Sequence, residues 1–271
     1  VNLRAYLDRI GYTGLLEPTF ETLRAIHRAH LFAIPYENLD IHLGRALTLD
    51  PDTIHQKIVL DGRGGWCFEM NGLFAWALRE LGFQVTYLSG SVNRAVLGDA
   101  AEGNHLVLRV DLNGEAYMAD VGFGDGILEP IPLREGRYVQ DGFHFGLEWH
   151  GEAWVFRKFE GGGPGGFEFR LNPMQLSDFA LRCEWLQTAP ESGFVRAIVC
   201  QKPSSQGFIT LRGAVLSVTT SGGESKRTLV SADEFDAVLR EHFGLELAES
   251  TCLWDHVWAR HLEWLRSNPA S

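Results

Sequence analysis

Asp61-Gly62-Arg63-Gly64-Gly65-Trp66-Cys67-Phe68-Glu69-Met70-Asn71 is a glycine-rich bend that delivers one cysteine to the start of an apolar run. Beyond the glycines, Phe68, Phe74, Ala77, Leu78 and Leu81 recur at roughly helical spacing. Gly82 stands where such a helix stops. Cys67 therefore falls at or just before a first helical turn, where backbone N–H groups lack intrahelical partners and the macrodipole is positive. Both features favour thiolate over thiol, so a depressed pKa and a reactive sulfur are expected. A buried, inert cysteine fits the same position, because free cysteine is among the most buried residue types. The rest of the chain has to decide.

Upstream the pattern is helical as far as residue 84. Leu3, Tyr6, Leu7 and Ile10 form one amphipathic set, and Thr19 opens a second helix with Leu23, Ile26 and His27 on one side. Pro35, in Pro35-Tyr36-Glu37-Asn38-Leu39, breaks that helix. Pro51 to Leu60 reads as a third helix, with Pro51 in its first turn. His27 and His30 are three apart and can share a helix face, but a metal site needs a third ligand and none is indicated. His256 and His261, five apart, fall on different faces.

Downstream of Gly82 the period becomes two. Residues 84–89, 105–110 and 116–121 read as strands, the last two joined through Leu112-Asn113-Gly114-Glu115. Asn-Gly between alternating strands predicts a two-residue type I′ turn with positive φ at both positions. With that loop, Leu112 faces Glu115, Asp120 falls opposite Val107, and His105 opposite Gly122. His105 and Asp120 then share a face as diagonal neighbours, about 7–8 Å apart at the backbone and within side-chain reach. A one-residue slip separates them. A histidine leaning on a buried aspartate serves either as a structural pair or as the orienting half of a catalytic triad. With a helix-mouth cysteine in the same chain, the joint reading is a Cys67–His105–Asp120 triad.

Three glycines in Gly122-Phe123-Gly124-Asp125-Gly126 permit close backbone approach, with substrate as the expected neighbour. Strands are expected at 143–147, 153–156, 195–200, 208–211, 214–219 and 227–230, with a glycine-rich loop at 160–166 and partial helix over 172–186. Ser231-Ala232-Asp233-Glu234 is a capping box opening a helix to His242, with Gly244 beyond its end, and a last helix is expected near 255–266. Helices, then strands, then strands with helices suggest an α+β chain of three units, 1–84, 85–190 and 191–271.

The 271 residues are 45% hydrophobic and 22% charged, an ordinary globular composition with room for a sizeable core. A net charge of -11 argues against nucleic acid or an anionic membrane as partner. Cys67, Cys183, Cys200 and Cys252 are scattered, with neither zinc-ligand spacing nor a dense disulfide framework. No stretch approaches the ~18 apolar residues of a membrane span, and the first residues carry charge where a signal peptide needs an apolar run. A cytoplasmic protein is expected.

The Arg63–Asn71 stretch, followed by His105 and by Asp120-Val121-Gly122-Phe123-Gly124, resembles the arylamine N-acetyltransferases. So do Pro35-Tyr36-Glu37-Asn38-Leu39 and Phe208-Ile209-Thr210-Leu211-Arg212, so the resemblance spans nearly the whole chain. It implies an N-terminal helical bundle, a central antiparallel β-barrel and a C-terminal α/β lid, with a papain-like Cys-His-Asp arrangement. It places the nucleophile at Cys67, the base at His105 and the orienting acid at Asp120. Phe123, Gly124 and Gly126, with Tyr36 and Asn104, fall where substrate is bound. Met70, Asn104 and Trp66 depart from the residues usual there, which bears on acceptor preference and donor fit. The implied reaction is ping-pong transfer of acetyl from acetyl-CoA to an arylamine, hydrazine or arylhydroxylamine, without a metal. It needs a dry site and an oxyanion hole, for which the Cys67 N–H is a candidate. An amide synthase or longer-chain acyltransferase of the same family, a transglutaminase-like cysteine hydrolase and a non-catalytic binding module are the alternatives. Monomer and homodimer both remain open.

Overall fold

The computed structural model describes residues 1–160 and 165–267; part of the glycine-rich loop at 160–166 lies outside the described residues. Helix α1 (Leu3–Arg9) is capped by the Asn2 side chain, which accepts from Ala5 N. Helix α2 (Phe20–Ala33) is capped by Thr19, and it ends where Pro35 drives Ile34 into an extended conformation. Strand β1 (Tyr36–Glu37) and helix α3 (Leu39–His42) follow. Helix α4 (Pro51–His55) starts on Asp50 with proline in its first turn. The single helix expected over 51–60 instead widens after His55 into a π turn, Gln56–Leu60. Arg9 reaches into this turn, donating to the carbonyls of Ile58, Ala33 and Gly62, and so ties α1 and the end of α2 to the glycine bend. Helix α5 (Cys67–Glu80) is buried along most of its length, as its apolar run demands.

A single eight-stranded antiparallel sheet follows. Strand β2 (Gln84–Val92) leads through helix α6 (Arg94–Leu97) to β3 (His105–Leu112) and β4 (Glu115–Ala119). Then come β5 (Ile131–Pro132), β6 (Gly136–Gln140), β7 (Phe143–Trp149), β8 (Trp154–Lys158) and β9 (Gly166–Phe169), in the order β5-β4-β3-β2-β9-β8-β7-β6. The edge strands β5 and β6 are consecutive in the chain. The Tyr138 hydroxyl of β6 donates to the Pro132 carbonyl of β5 at 3.1 Å, so the sheet curls into a nearly closed barrel. Phe145, Phe156, Phe167 and Phe169 are buried in this region and pack ring against ring, Phe145 stacked on Phe156 and the others tilted. The β3–β4 hairpin has the expected register, Leu112 opposite Glu115 through Leu108 opposite Ala119. Asn113 (φ 53°) and Gly114 (φ 85°) take the positive angles that a type I′ turn requires. Strands β5, β6 and β9 are not foreseen from the sequence: each has five residues or fewer, and although Phe167 and Phe169 of β9 alternate with Glu168, the run is too short to stand out.

Helix α7 (Ala180–Thr188) and helix α8 (Gly193–Arg196) lead to β10 (Val199–Ser204), β11 (Gly207–Arg212), β12 (Val215–Thr220) and β13 (Gly223–Thr228). The strand expected at 195–200 is corrected: Ser192 caps a helical turn by accepting from Phe194 N, and the strand begins only at Val199. Helix α9 (Ala232–Phe243) starts on Ser231 and stops at Gly244, as its capping box predicts. Helix α10 (Ser250–Ser267) begins about a turn before the expected start. The second sheet runs β1-β10-β11-β12-β13, so Tyr36 and Glu37 supply an edge strand to a sheet otherwise built from the last third of the chain. One buried cluster joins the helices to the barrel, and a second lies between this sheet and α9 and α10. Among the described residues no helix is long and apolar enough to cross a membrane.

Candidate active site

The bend before Cys67 is held against the strand-forming segment that precedes α3. Glu37 N donates to Gly65 O at 2.9 Å, and Gly65 N to Pro35 O at 3.3 Å. A Cβ at position 64 would lie 2.1 Å from the Pro35 carbonyl oxygen, so only glycine fits there. A buried charge network locks the contact. Arg63 pairs with Glu37 at 2.8 Å and Asp40 at 3.0 Å, while Lys57 pairs with Asp40 and Glu69, both at 2.9 Å. Burial pushes the Asp40 carboxyl up, but Lys57 and Arg63 together hold it below its ordinary range. Glu69, in the first turn of α5, also accepts from Trp66 N at 3.2 Å. That bond satisfies a donor at the helix start. Five charged residues from four places in the chain thus fix where α5 begins, and with it Cys67.

The Cys67 side chain is buried. Its sulfur is reached by the backbone N–H groups of Phe68, in the helix's first turn, and of Leu106, the neighbour of His105. Both favour thiolate. Burial outweighs them and, with the nearby Asp120 charge, pushes the thiol up rather than down. The depressed pKa expected from the helix mouth is therefore corrected, because full desolvation exceeds what two N–H groups return. A thiolate here needs a cation beside it.

His105 and Asp120 meet as the hairpin register requires, although the β3–β4 ladder ends one residue short of Asp120. The imidazole Nε2–H donates to Asp120 Oδ2 at 2.6 Å, with both residues buried. This leaves Nδ1 as the ring nitrogen that Asp120 does not engage. Asp120 Oδ1 accepts from Gly122 N and from Asn71 Nδ2, each at 2.8 Å. Asn71 also donates to Leu106 O at 2.6 Å and accepts from Val121 N at 2.9 Å. One amide, a helical turn beyond Cys67, therefore ties the Cys67 helix to the segment carrying Asp120 and to the strand carrying His105. The sequence reading gave Asn71 no such role; its place one turn after Cys67 was the available signal.

The glycine loop approaches the protein itself. A Cβ on Gly122 would lie 2.8 Å from Cys67 Cα and 2.7 Å from Asn71 Nδ2, and one on Gly124 would meet the Gln201 side chain. The close approach expected toward substrate is, at Gly122, an approach to the backbone of Cys67. Gly122→Ala is therefore expected to push the loop off α5 and lower kcat about 10²-fold, as a displacement near 1 Å does; steady-state kinetics alongside a thermal melt checks it. Phe123 packs edge-on against His105, with ring centroids 5.5 Å apart, and Phe167 lies 4.7 Å from the same ring. Gly126 packs against Phe123. Tyr36 sits on β1 opposite Gln201, buried beside the cysteine, and burial raises its hydroxyl pKa. The Asn104 amide is occupied, its oxygen accepting from Val92 N at 2.7 Å and its nitrogen donating to Val92 O at 3.0 Å. Among the described residues no cluster of three or more potential ligands could hold a metal. His27 and His30 instead make separate hydrogen bonds, His27 to the loop backbone and His30 to the Tyr6 hydroxyl.

The chain as a whole is similar to known proteins. An N-acetyltransferase family model matches residues 19–252. The chain is 32% identical over 257 residues to the arylamine N-acetyltransferase of Escherichia coli, covering 90% of this chain and 88% of that protein. It is 37% identical over 222 residues to the arylamine N-acetyltransferase / N-hydroxyarylamine O-acetyltransferase of Salmonella typhimurium, covering 77% and 76%. Its fold matches that of the Mycobacterium marinum arylamine N-acetyltransferase solved in complex with CoA, with a TM-score of 0.86, 30% identity, and 94% and 99% of the two chains covered.

Proposed function

Because this chain belongs to the arylamine N-acetyltransferase family, we propose that its acetyl-CoA-dependent acetylation of arylamines runs through Cys67 in two half-reactions. His105 Nδ1 takes the Cys67 proton, and the thiolate attacks the thioester carbonyl of acetyl-CoA. The C–S bond to CoA breaks, and the departing sulfur recovers the proton from His105. In the second half the amine nitrogen attacks acetyl-Cys67 and passes a proton to His105. Collapse of that intermediate forms the amide and returns the thiol. The observation that carries this reading is the buried 2.6 Å bond between His105 and Asp120. It fixes the tautomer and gives the imidazolium a counter-charge.

Burial raises the Cys67 thiol, so the sulfur rests as the thiol and becomes thiolate only as His105 takes its proton. The Cys67 N–H, in a first helical turn without an intrahelical acceptor, is assigned to the oxyanion. The Phe123 and Phe167 rings keep water from the acetyl-enzyme. Phe123, Gly124, Gly126 and Tyr36 are assigned to the substrate pocket, with Asn104 one step behind, holding Val92. Hydrazines and arylhydroxylamines fit the same chemistry as acceptors, and the cytoplasm, where acetyl-CoA is available, is the proposed location.

The test is intact-protein mass after incubation with acetyl-CoA and no acceptor. One acetyl group per chain, mapped to Cys67 and discharged by an added arylamine or hydrazine, is the expected result. A chain that turns over yet never carries acetyl on Cys67 would sink the two-step reading.

A further inference from the structure

Asp120 is held at its carboxylate by Asn71 and Gly122, but its backbone is held by something else. Asp120 N donates to His27 Nε2 at 3.2 Å, and the same ring's Nδ1–H donates to Leu128 O at 3.0 Å. His27 lies on α2, far from both partners in the chain, and is wholly buried with its ring edge-on to Phe74 of α5. A single imidazole thus grips both ends of the segment 120–128. That segment carries the Asp120 carboxylate, the Gly122 approach to Cys67, and Phe123. At the Leu128 end it shares the work with Gln140, whose side-chain oxygen accepts from Leu128 N and Glu129 N. At the Asp120 backbone no other side-chain acceptor appears among the described residues.

Both bonds require the neutral ring with its proton on Nδ1. An imidazolium would turn a second N–H against the Asp120 N–H. Burial pushes the His27 pKa down to about 4, so the neutral ring persists across the physiological range. A His chosen only to fill the core would leave a polar nitrogen unmet at a cost. This one meets both nitrogens, and both on the loop that carries Asp120.

We propose that His27 is a positioning residue for acetyl transfer: by fixing Asp120 N and Leu128 O together, it sets the angle at which the Asp120 carboxylate meets His105. The proposal rests on the Cys67–His105–Asp120 reading above. It predicts that the two ring nitrogens are separable. Glutamine places an acceptor near the position of Nε2 and can hold Asp120 N. Asparagine places a donor near Nδ1 and can hold only Leu128 O. Phenylalanine fills the space and holds neither.

The experiment compares wild type, His27→Gln, His27→Asn and His27→Phe by three readouts. These are single-turnover acetylation of Cys67 by acetyl-CoA, the pH profile of Cys67 alkylation by iodoacetamide, and the thermal midpoint. His27→Asn and His27→Phe are expected to acetylate about 10²-fold more slowly, the scale of a small misplacement at a reacting group. Their alkylation profiles are expected to move to higher pH, because a misaimed Asp120 no longer supports the imidazolium beside the thiolate. His27→Gln is expected to keep the wild-type profile and to stay within about tenfold of its rate. Should His27→Phe fail to fold, the Gln and Asn pair decides alone, since both are polar and differ in which end they can hold. Equal rates and profiles for Gln and Asn, or losses confined to the thermal midpoint, overturn the proposal. A wild type that never acetylates Cys67 overturns the underlying mechanism instead, and that result is read before any variant is made.

Discussion

Cys67→Ala is expected to abolish acetyl transfer, with kcat/KM falling about 10⁶-fold, the scale seen when a covalent nucleophile is removed from a working triad. No other thiol in the chain can take its place. Cys200 is fully buried in the second sheet, and Cys252 is exposed on α10, far along the chain from His105. Cys183 lies close enough to influence Cys67, but burial pushes its own pKa up to about 12, and among the described residues no histidine is found hydrogen-bonded to it. The fold should hold. Cys67 accepts rather than organises, while the bend is fixed by Arg63, Lys57 and their carboxylates. Losing one buried sulfur costs about 1 kcal/mol, a shift of roughly 2–4 °C in Tm for a chain of this size. Steady-state acetylation, the intact mass after acetyl-CoA and a thermal melt together check this. Transfer persisting at more than about one part in a thousand would place the acetyl group elsewhere.

Much of this site can be read from the sequence, and the parts that cannot have physical reasons. The Asn113-Gly114 turn fixes a register, and the register alone brings His105 to Asp120; this is local chemistry acting over sixteen residues. The Thr19 and Ser231 caps and the Gly82 and Gly244 stops are equally local. Gly64 is different. Its need for glycine comes from the Pro35 carbonyl, on a segment that meets it only in three dimensions. His27 is a sharper case. Spacing pairs it with His30, three residues away, whereas its partners lie at Asp120 and Leu128. The thiol pKa departs from its sequence expectation for a related reason. The helix start is visible in the sequence, but the depth at which the fold buries it is not. Likewise α8 arises where Ser192 caps a turn inside a run whose valine and isoleucine otherwise suggest a strand.

Asp120→Asn separates orientation from charge at this site, and it is expected to lower kcat about 10⁴-fold, as the same change does in other triads. The direction follows from the surrounding hydrogen bonds. One carboxylate oxygen accepts from Gly122 N and Asn71 Nδ2, both of them donors, so in the variant the amide oxygen must take that place. The amide nitrogen is then forced toward His105 Nε2. Because it can only donate, the imidazole must keep its proton on Nδ1, the nitrogen that should receive the Cys67 proton. Geometry survives and the base is lost. The folded chain keeps the hydrogen bonds of the site, so the thermal midpoint should change little, in contrast to a truncation to alanine that would strand Asn71 and Gly122. Without a negative charge behind the ring, the thiolate–imidazolium pair also loses its support. Alkylation of Cys67 should then move to higher pH, because losing the imidazolium outweighs the relief of the Asp120 charge that itself pushes the thiol up. A variant that kept its alkylation profile and lost less than tenfold in kcat would mean that Asp120 only props the ring, and that the acetyl-enzyme forms by a route in which the His105 tautomer does not matter.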